Sequence, residues 1–133
     1  MAVTLSHMGY GVIQRAVRGT LTAGQRMATP VKGEPFILES IDDRGVVLLL
    51  GAGGWHTRLS WECLEGIVPF LRGRGWTRIT GSGYSTNIQE DTLDGYLKRH
   101  VLRATAGWVA VLLEKAGVVE IDRSRPAKVR LRE

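Results

Sequence analysis

Only one cysteine, Cys63, occurs in the 133 residues, so the chain can form no internal disulfide. A reducing compartment suits that usage. Histidine is nearly as scarce. His7, His56 and His100 are scattered, and none pairs with another or with Cys63 at a metal-ligand spacing. This excludes a zinc finger and a His-rich metal-nuclease pattern, and neither a metal nor a cofactor is expected. No apolar run approaches the roughly 20 residues of a membrane helix. The longest, residues 46–50 and 108–113, have the length of core elements. The first residues lack a charged-then-apolar export layout, so the expectation is a cytoplasmic protein. Gly73, Gly75, Gly81 and Gly83 fit neither a Walker sequence nor GxGxxG before a helix, and read as loop flexibility. Cys63 beside Leu64 reads as a small buried apolar residue. Asp91, Asp94 and Lys98 form an acidic helix start followed by a base, which the helix dipole favours without any chemistry. No catalytic residue is assigned, and an enzyme is not expected.

What is present is an ordinary globular balance, 44% apolar and 23% charged, on a chain of single-domain length. The net charge is +5 and unevenly placed. Residues 1–97 carry 9 basic and 9 acidic side chains, whereas residues 98–133 carry 9 basic against 4 acidic. Most of the bases are arginine, whose planar fork suits phosphates and guanine edges.

The pattern predicts an α+β fold in one domain, residues 1–133. Residues 1–32 read as a weak helix through Val12, Ile13, Ala16 and Val17, then a polar loop. Residues 33–80 read as a three-stranded β meander and a short helix. Phe36, Leu38 and Ile41 mark the first strand, and residues 46–50 form an apolar second strand after the turn ending at Gly45. Residues 55–59 alternate as a third strand. Ser60 is an N-cap for a helix through Trp61 and Leu64, and Gly66 and Pro69 interrupt that helix before a turn. A short strand is expected at residues 76–79, then a polar loop at residues 80–90. Residues 91–133 read as a helix from Asp91 or Thr92, a second helix over residues 106–116 capped by Thr105 and ended by Gly117, and a β-hairpin with a basic tip. Helix, helix and basic hairpin is the order of a winged-helix domain.

Two constellations point to DNA. Arg123 and Arg125 at the hairpin tip, with Lys128 and Arg130 alternating along one strand, suit backbone phosphates. Arg58, Arg72, Arg74, Arg78, Lys98, Arg99 and Arg103 extend the basic surface. Trp55, Trp76 and Tyr84 stand among these bases as candidates for base or methyl contact, since flat side chains stack on bases while cations hold the backbone. Charges on an edge strand also discourage aggregation, and Trp61 reads better as a core anchor. The helix at residues 106–116 is nearly all apolar and offers few base-edge donors, so it reads as core rather than as a groove-reading helix.

Two stretches carry a family resemblance. One runs from Leu59-Ser60-Trp61-Glu62-Cys63-Leu64-Glu65-Gly66-Ile67 to Phe70-Leu71-Arg72-Gly73-Arg74-Gly75-Trp76. The other is Thr92-Leu93-Asp94-Gly95-Tyr96-Leu97-Lys98, followed by Arg103 to Val109 and by Gly117 to Asp122. Together, over residues 34–131, they resemble a small actinobacterial domain found alone or fused to HNH-type modification-dependent restriction endonucleases. The resemblance implies binding of 5-methylcytosine DNA, double-stranded DNA as the partner, and a separate nuclease that completes restriction, because no nuclease pattern is present here. The rival expectations are a winged-helix regulator insensitive to methylation, a protein-interaction module, and a small nuclease with an atypical site.

Overall fold

The computed structural model describes residues 11–51, 54–80, 92–99, 105–124 and 126–132. The chain is an α+β protein with two antiparallel sheets. The first has four strands in the order β1 (Gln25–Ala28), β2 (Pro35–Asp42), β3 (Gly45–Leu50) and β4 (Trp55–Ser60). Phe36, Leu38, Val46, Leu48, Leu50 and Leu59 are buried, and the exposed residues of β4 alternate with them. A meander results because short turns join its neighbours. At the β2–β3 turn, Asp42 Oδ1 accepts hydrogen bonds from Arg44 N at 2.8 Å and Gly45 N at 3.1 Å. These bonds, the Arg44 N–H foremost, hold the Asp42 carboxyl below its ordinary range. Gly45 sits at φ 153°, and a Cβ there would run into the Leu59 carbonyl oxygen.

The sheet has one strand more than the sequence pattern predicts. Residues 25–28 contain a single apolar anchor, Met27, and the strand is fixed by backbone pairing from Gln25↔Leu38 to Ala28↔Pro35. Alternation too short to register in the sequence is completed by a partner already ordered. The N-terminal helix α1 (Val12–Thr20) runs through Gly19 and buries Ile13 and Val17.

The helix expected after Ser60 forms in two pieces, α2 (Trp61–Glu65) and α3 (Ile67–Leu71). Ser60 Oγ accepts from Cys63 N at 3.1 Å, as an N-cap does. Pro69 does not end the helix. It lies in the first turn of α3, where its missing N–H breaks no intrahelical bond. Gly66, between the two pieces, is required by packing: a Cβ there would strike the Tyr96 hydroxyl, which donates to the Cys63 carbonyl at 2.8 Å.

The C-terminal half continues with β5 (Thr77–Arg78), α4 (Leu93–Leu97), α5 (Ala106–Lys115), β6 (Val119–Asp122) and β7 (Lys128–Leu131). Thr92 Oγ1 caps α4 by accepting from Gly95 N at 2.9 Å. Thr105 occupies the corresponding place before α5 but makes no capping bond, and its buried Oγ1 has no partner among the described residues. The other end of α5 closes as its sequence predicts. Gly117, at φ 83°, donates to Glu114 O at 3.0 Å, and Val118 N donates to Leu113 O at 2.9 Å, which is a Schellman closure. The second sheet has the order β5-β7-β6, so the strand before the two helices pairs with the far strand of the hairpin. Helix, strand, helix, helix, hairpin with this pairing is winged-helix-like topology.

The two halves share one core. Helix α5 packs against β6, β1, α1 and α4. Its Ala106, Val109, Ala110, Val111, Leu112 and Leu113 are all buried. No helix among the described residues is long and apolar enough to cross a membrane.

Candidate nucleic-acid interface

In a winged-helix arrangement α5 holds the position of a groove-reading helix, but here the first sheet and α1 cover it. Most of its side chains are buried in the core, and only Lys115 is exposed. Three of the basic side chains, Arg78, Lys128 and Arg130, lie on the outer face of the second sheet, where Asp122 and Glu120 stand opposite the latter two.

Strand register assigns that face. Val129 and Thr77 are paired and buried, and Ile121 pairs with Val129 from the other side. Side chains one residue away therefore point outward. Arg78, Lys128 and Asp122 form one outward row, and Arg130 and Glu120 form the next. Trp76, one residue before Thr77, extends the second row. The Arg130 guanidinium lies 4.4 Å from the Trp76 ring centroid, and its Nε donates to Glu120 Oε1 at 2.8 Å. Trp76 remains 41% exposed, so a second aromatic ring can reach it. Arg78 is exposed and has no ion-pair partner among the described residues. Lys128 Nζ donates to Pro126 O at 3.2 Å, and the residue stands opposite Asp122 in the ladder.

The remaining basic candidates divide. Arg72 and Arg74 are exposed in the turn that leads from α3 to β5. Arg74 lies over the Phe70 ring, 4.3 Å from its centroid, and donates from Nε to the Phe70 carbonyl. Arg123 is held by Glu114 in a two-pronged pair with both contacts at 2.7 Å. That pair, through the Arg123 hydrogen bond first, holds the Glu114 carboxyl below its ordinary range and raises the Arg123 guanidinium. Lys98 pairs with Asp94 at 3.0 Å, one helical turn away. Arg99 is exposed and engaged in interactions of its own. Arg58 pairs with Asp42 at 3.3 Å on the first sheet. Trp55, 57% exposed, also belongs to the first sheet, at the start of β4. Arg103, Arg125 and Tyr84 lie outside the described residues.

Trp61 is a core residue, 6% exposed, with Nε1 donating to Asp42 O at 2.8 Å. Cys63 is buried, and burial pushes its thiol up to about 11, which suits a packing role and not a thiolate nucleophile. Among the described residues no group of three or more His, Cys, Asp or Glu is placed to hold a metal.

Sequence reasoning missed two features. Glu65, only 4% exposed, accepts Ile13 N at 3.0 Å and Gln14 N at 2.8 Å and so caps α1 from a distant helix. Trp108 lines a cavity with residues of the β1–β2 turn. Neither leaves a local signal, because the partners are far apart in the chain. Comparison with protein-family models, curated proteins and solved structures gives no match.

Proposed function

We propose that the chain binds duplex DNA through the outer face of the second sheet and the adjoining Arg72–Arg74 turn, with 5-methylcytosine DNA as the favoured target. The observation that carries this reading is the co-facial set of Arg78, Lys128 and Arg130 with the exposed Trp76. Cations on a sheet face suit phosphates, and the partly exposed ring of Trp76 suits a base or its methyl group. The resemblance described above supplies the preference for modified cytosine, and with it a role in restricting foreign methylated DNA alongside a separate nuclease. Such a role places the protein on the nucleoid, in the cytoplasm.

The energetics set what to expect. Phosphate contacts supply most of the affinity and make it steeply salt-dependent. One buried methyl contributes about 0.8 kcal/mol, roughly a fourfold preference. A larger preference requires base-edge hydrogen bonds or an enclosing pocket.

The test is a gel shift with one duplex, methylated and unmethylated, at about 150 mM salt. Preference for the methylated duplex supports the reading. Equal binding removes the methyl preference and leaves a methylation-insensitive DNA-binding protein. No binding by the folded protein removes the DNA reading and leaves a protein-interaction module, for which the exposed Trp55 on an edge strand is the supporting observation.

A further inference from the structure

From Val46 to Leu50, β3 is apolar without a break. A strand covered on one face alternates apolar and polar residues, whereas an unbroken apolar run belongs to a strand covered on both. Within one copy of the chain only one face of β3 is fully covered. Val46, Leu48 and Leu50 are buried there, and Val47 and Leu49 are half-buried on the other face. Ile37 of β2, paired with Leu49, adds a third aliphatic side chain to that outer face. We infer that two copies of the chain pack through the outer face of the first sheet, sheet against sheet, about a twofold axis parallel to the strands.

Charge selects a second copy as the occupant. One outward row runs Arg26, Ile37, Leu49, His56 from β1 to β4. Arg26, at the β1 end, is exposed and has no ion-pair partner among the described residues. At the β4 end His56 Nε2 lies 2.8 Å from Glu39 Oε2, so the carboxylate of this β2 residue reaches across β3. Its other oxygen, Oε1, makes no hydrogen bond among the described residues. A twofold axis between β2 and β3 sets β1 of one copy over β4 of the other, and β2 over β3. Ile37 of each copy then faces Leu49 of the other, and each unpaired Arg26 faces the other copy's Glu39. The row is thus complementary to itself, as an isologous interface requires.

The packing geometry is an ordinary one. Facing sheets lie about 10 Å apart with their strands within about 30° of each other. Arg26, Pro35, Ile37 and Leu49 line a groove of about 250 Å3, which gives the facing aliphatic side chains room to interdigitate. Nucleic acid suits this face poorly. Its centre is aliphatic, a carboxylate stands beside it, and Arg58 at its edge is already held by Asp42. The inference is therefore independent of the DNA-binding reading, which uses the other sheet.

The size of the face sets the strength. β3 and β4 are six residues long. Four such strands about 4.8 Å apart cover roughly 400 Å2, about half of what each partner contributes to a standard interface. The dimer is accordingly weak, with a dissociation constant on the order of 100 µM. Burial of the aliphatic side chains supplies the affinity, and the two Arg26–Glu39 contacts set the register.

The experiment is sedimentation velocity without DNA, at about 150 mM salt, on wild type and on three variants: Arg26→Glu, Glu39→Arg, and the double variant Arg26→Glu/Glu39→Arg. Both positions are exposed, and a thermal melt confirms that each variant is folded. Wild type should pass from monomer at about 5 µM to mostly dimer at about 1 mM. Either single reversal sets like charges against each other at two symmetry-related contacts, and should weaken dimerisation at least about tenfold. The double variant restores opposite charges across the axis and should return to within about threefold of wild type. Wild type that stays monomeric at about 1 mM overturns the inference. So does a dimer indifferent to the single reversals, or one that the double variant fails to recover. None of these outcomes touches the DNA-binding reading.

Discussion

Removing the Glu65 carboxylate should destabilise the protein more than any substitution of an exposed charge. Glu65 is 4% exposed, and its two oxygens take up the N–H groups of Ile13 and Gln14 at 3.0 and 2.8 Å. Those donors lie in the first turn of α1, where Gly11 provides no side-chain cap. A hydrogen bond to a charged group contributes about 1.5–3 kcal/mol, and an N-cap typically about 1 kcal/mol. Glu65→Gln keeps one acceptor oxygen for two donors and removes the charge, for an expected loss of about 1.5–3 kcal/mol. Glu65→Ala leaves both donors unpaired beside a small void, for roughly 3–5 kcal/mol. Domains of this kind are stable by only about 5–15 kcal/mol, so the alanine variant should lie near the edge of folding. Urea unfolding followed by tryptophan fluorescence measures the loss from the midpoint, with the slope required to stay unchanged. An alanine variant within about 0.5 kcal/mol of wild type, the range of ordinary surface substitutions, would refute the capping role.

Gly45→Ala should cost more than about 2 kcal/mol, because its φ of 153° is disfavoured for other residues and its Cβ would meet the Leu59 carbonyl; a thermal melt at or above the wild-type temperature would contradict this. Arg123→Ala should cost about 0.5–1 kcal/mol near neutral pH, since the pair is partly exposed. Glu114 has a lowered carboxyl in the folded state, so the pair's contribution is fully present above the ordinary value of 4.5 and is lost as pH falls through the lower folded value. Wild type and variant should therefore converge in acid, and a constant difference across the range would refute the assignment. Cys63 should resist a thiol reagent at pH 8 in native protein and react fully in urea, as burial and a thiol raised to about 11 dictate; rapid native labelling would contradict it.

The local signals were legible where one segment contains both halves of an interaction. Ser60 and Cys63, or Gly117 with Glu114 and Leu113, are close in sequence, and their caps form as expected. The apolar run of β3 announced a strand because its side chains suit a sheet and turn residues bracket it, and it pairs on both sides. β1 was not legible, because Met27 alone gives no period and the strand depends on its pairing with β2. The Glu65 cap was hidden because its partners are 51 and 52 residues away. Thr105 has a capping residue's identity but not its geometry, with ψ at 2° where Thr92 has 159°. The tryptophans show the limit most clearly. Helical spacing marked Trp61 as core, whereas only the pairing of Thr77 with Val129 puts Trp76 on the outer face. The basic cluster was visible as composition, but its division into paired and unpaired cations depends on acids from other elements, such as Glu114 for Arg123.

The most direct test of the outer-face assignment is the salt dependence of DNA affinity for wild type and for folded Arg78→Ala/Lys128→Ala, the cross-strand pair on that face. The expected result is at least about tenfold weaker binding, with the slope of log affinity against log salt smaller by about 1.8 for the two lost phosphate contacts. An unchanged affinity and slope in the folded double variant would contradict the assignment and take DNA off this sheet.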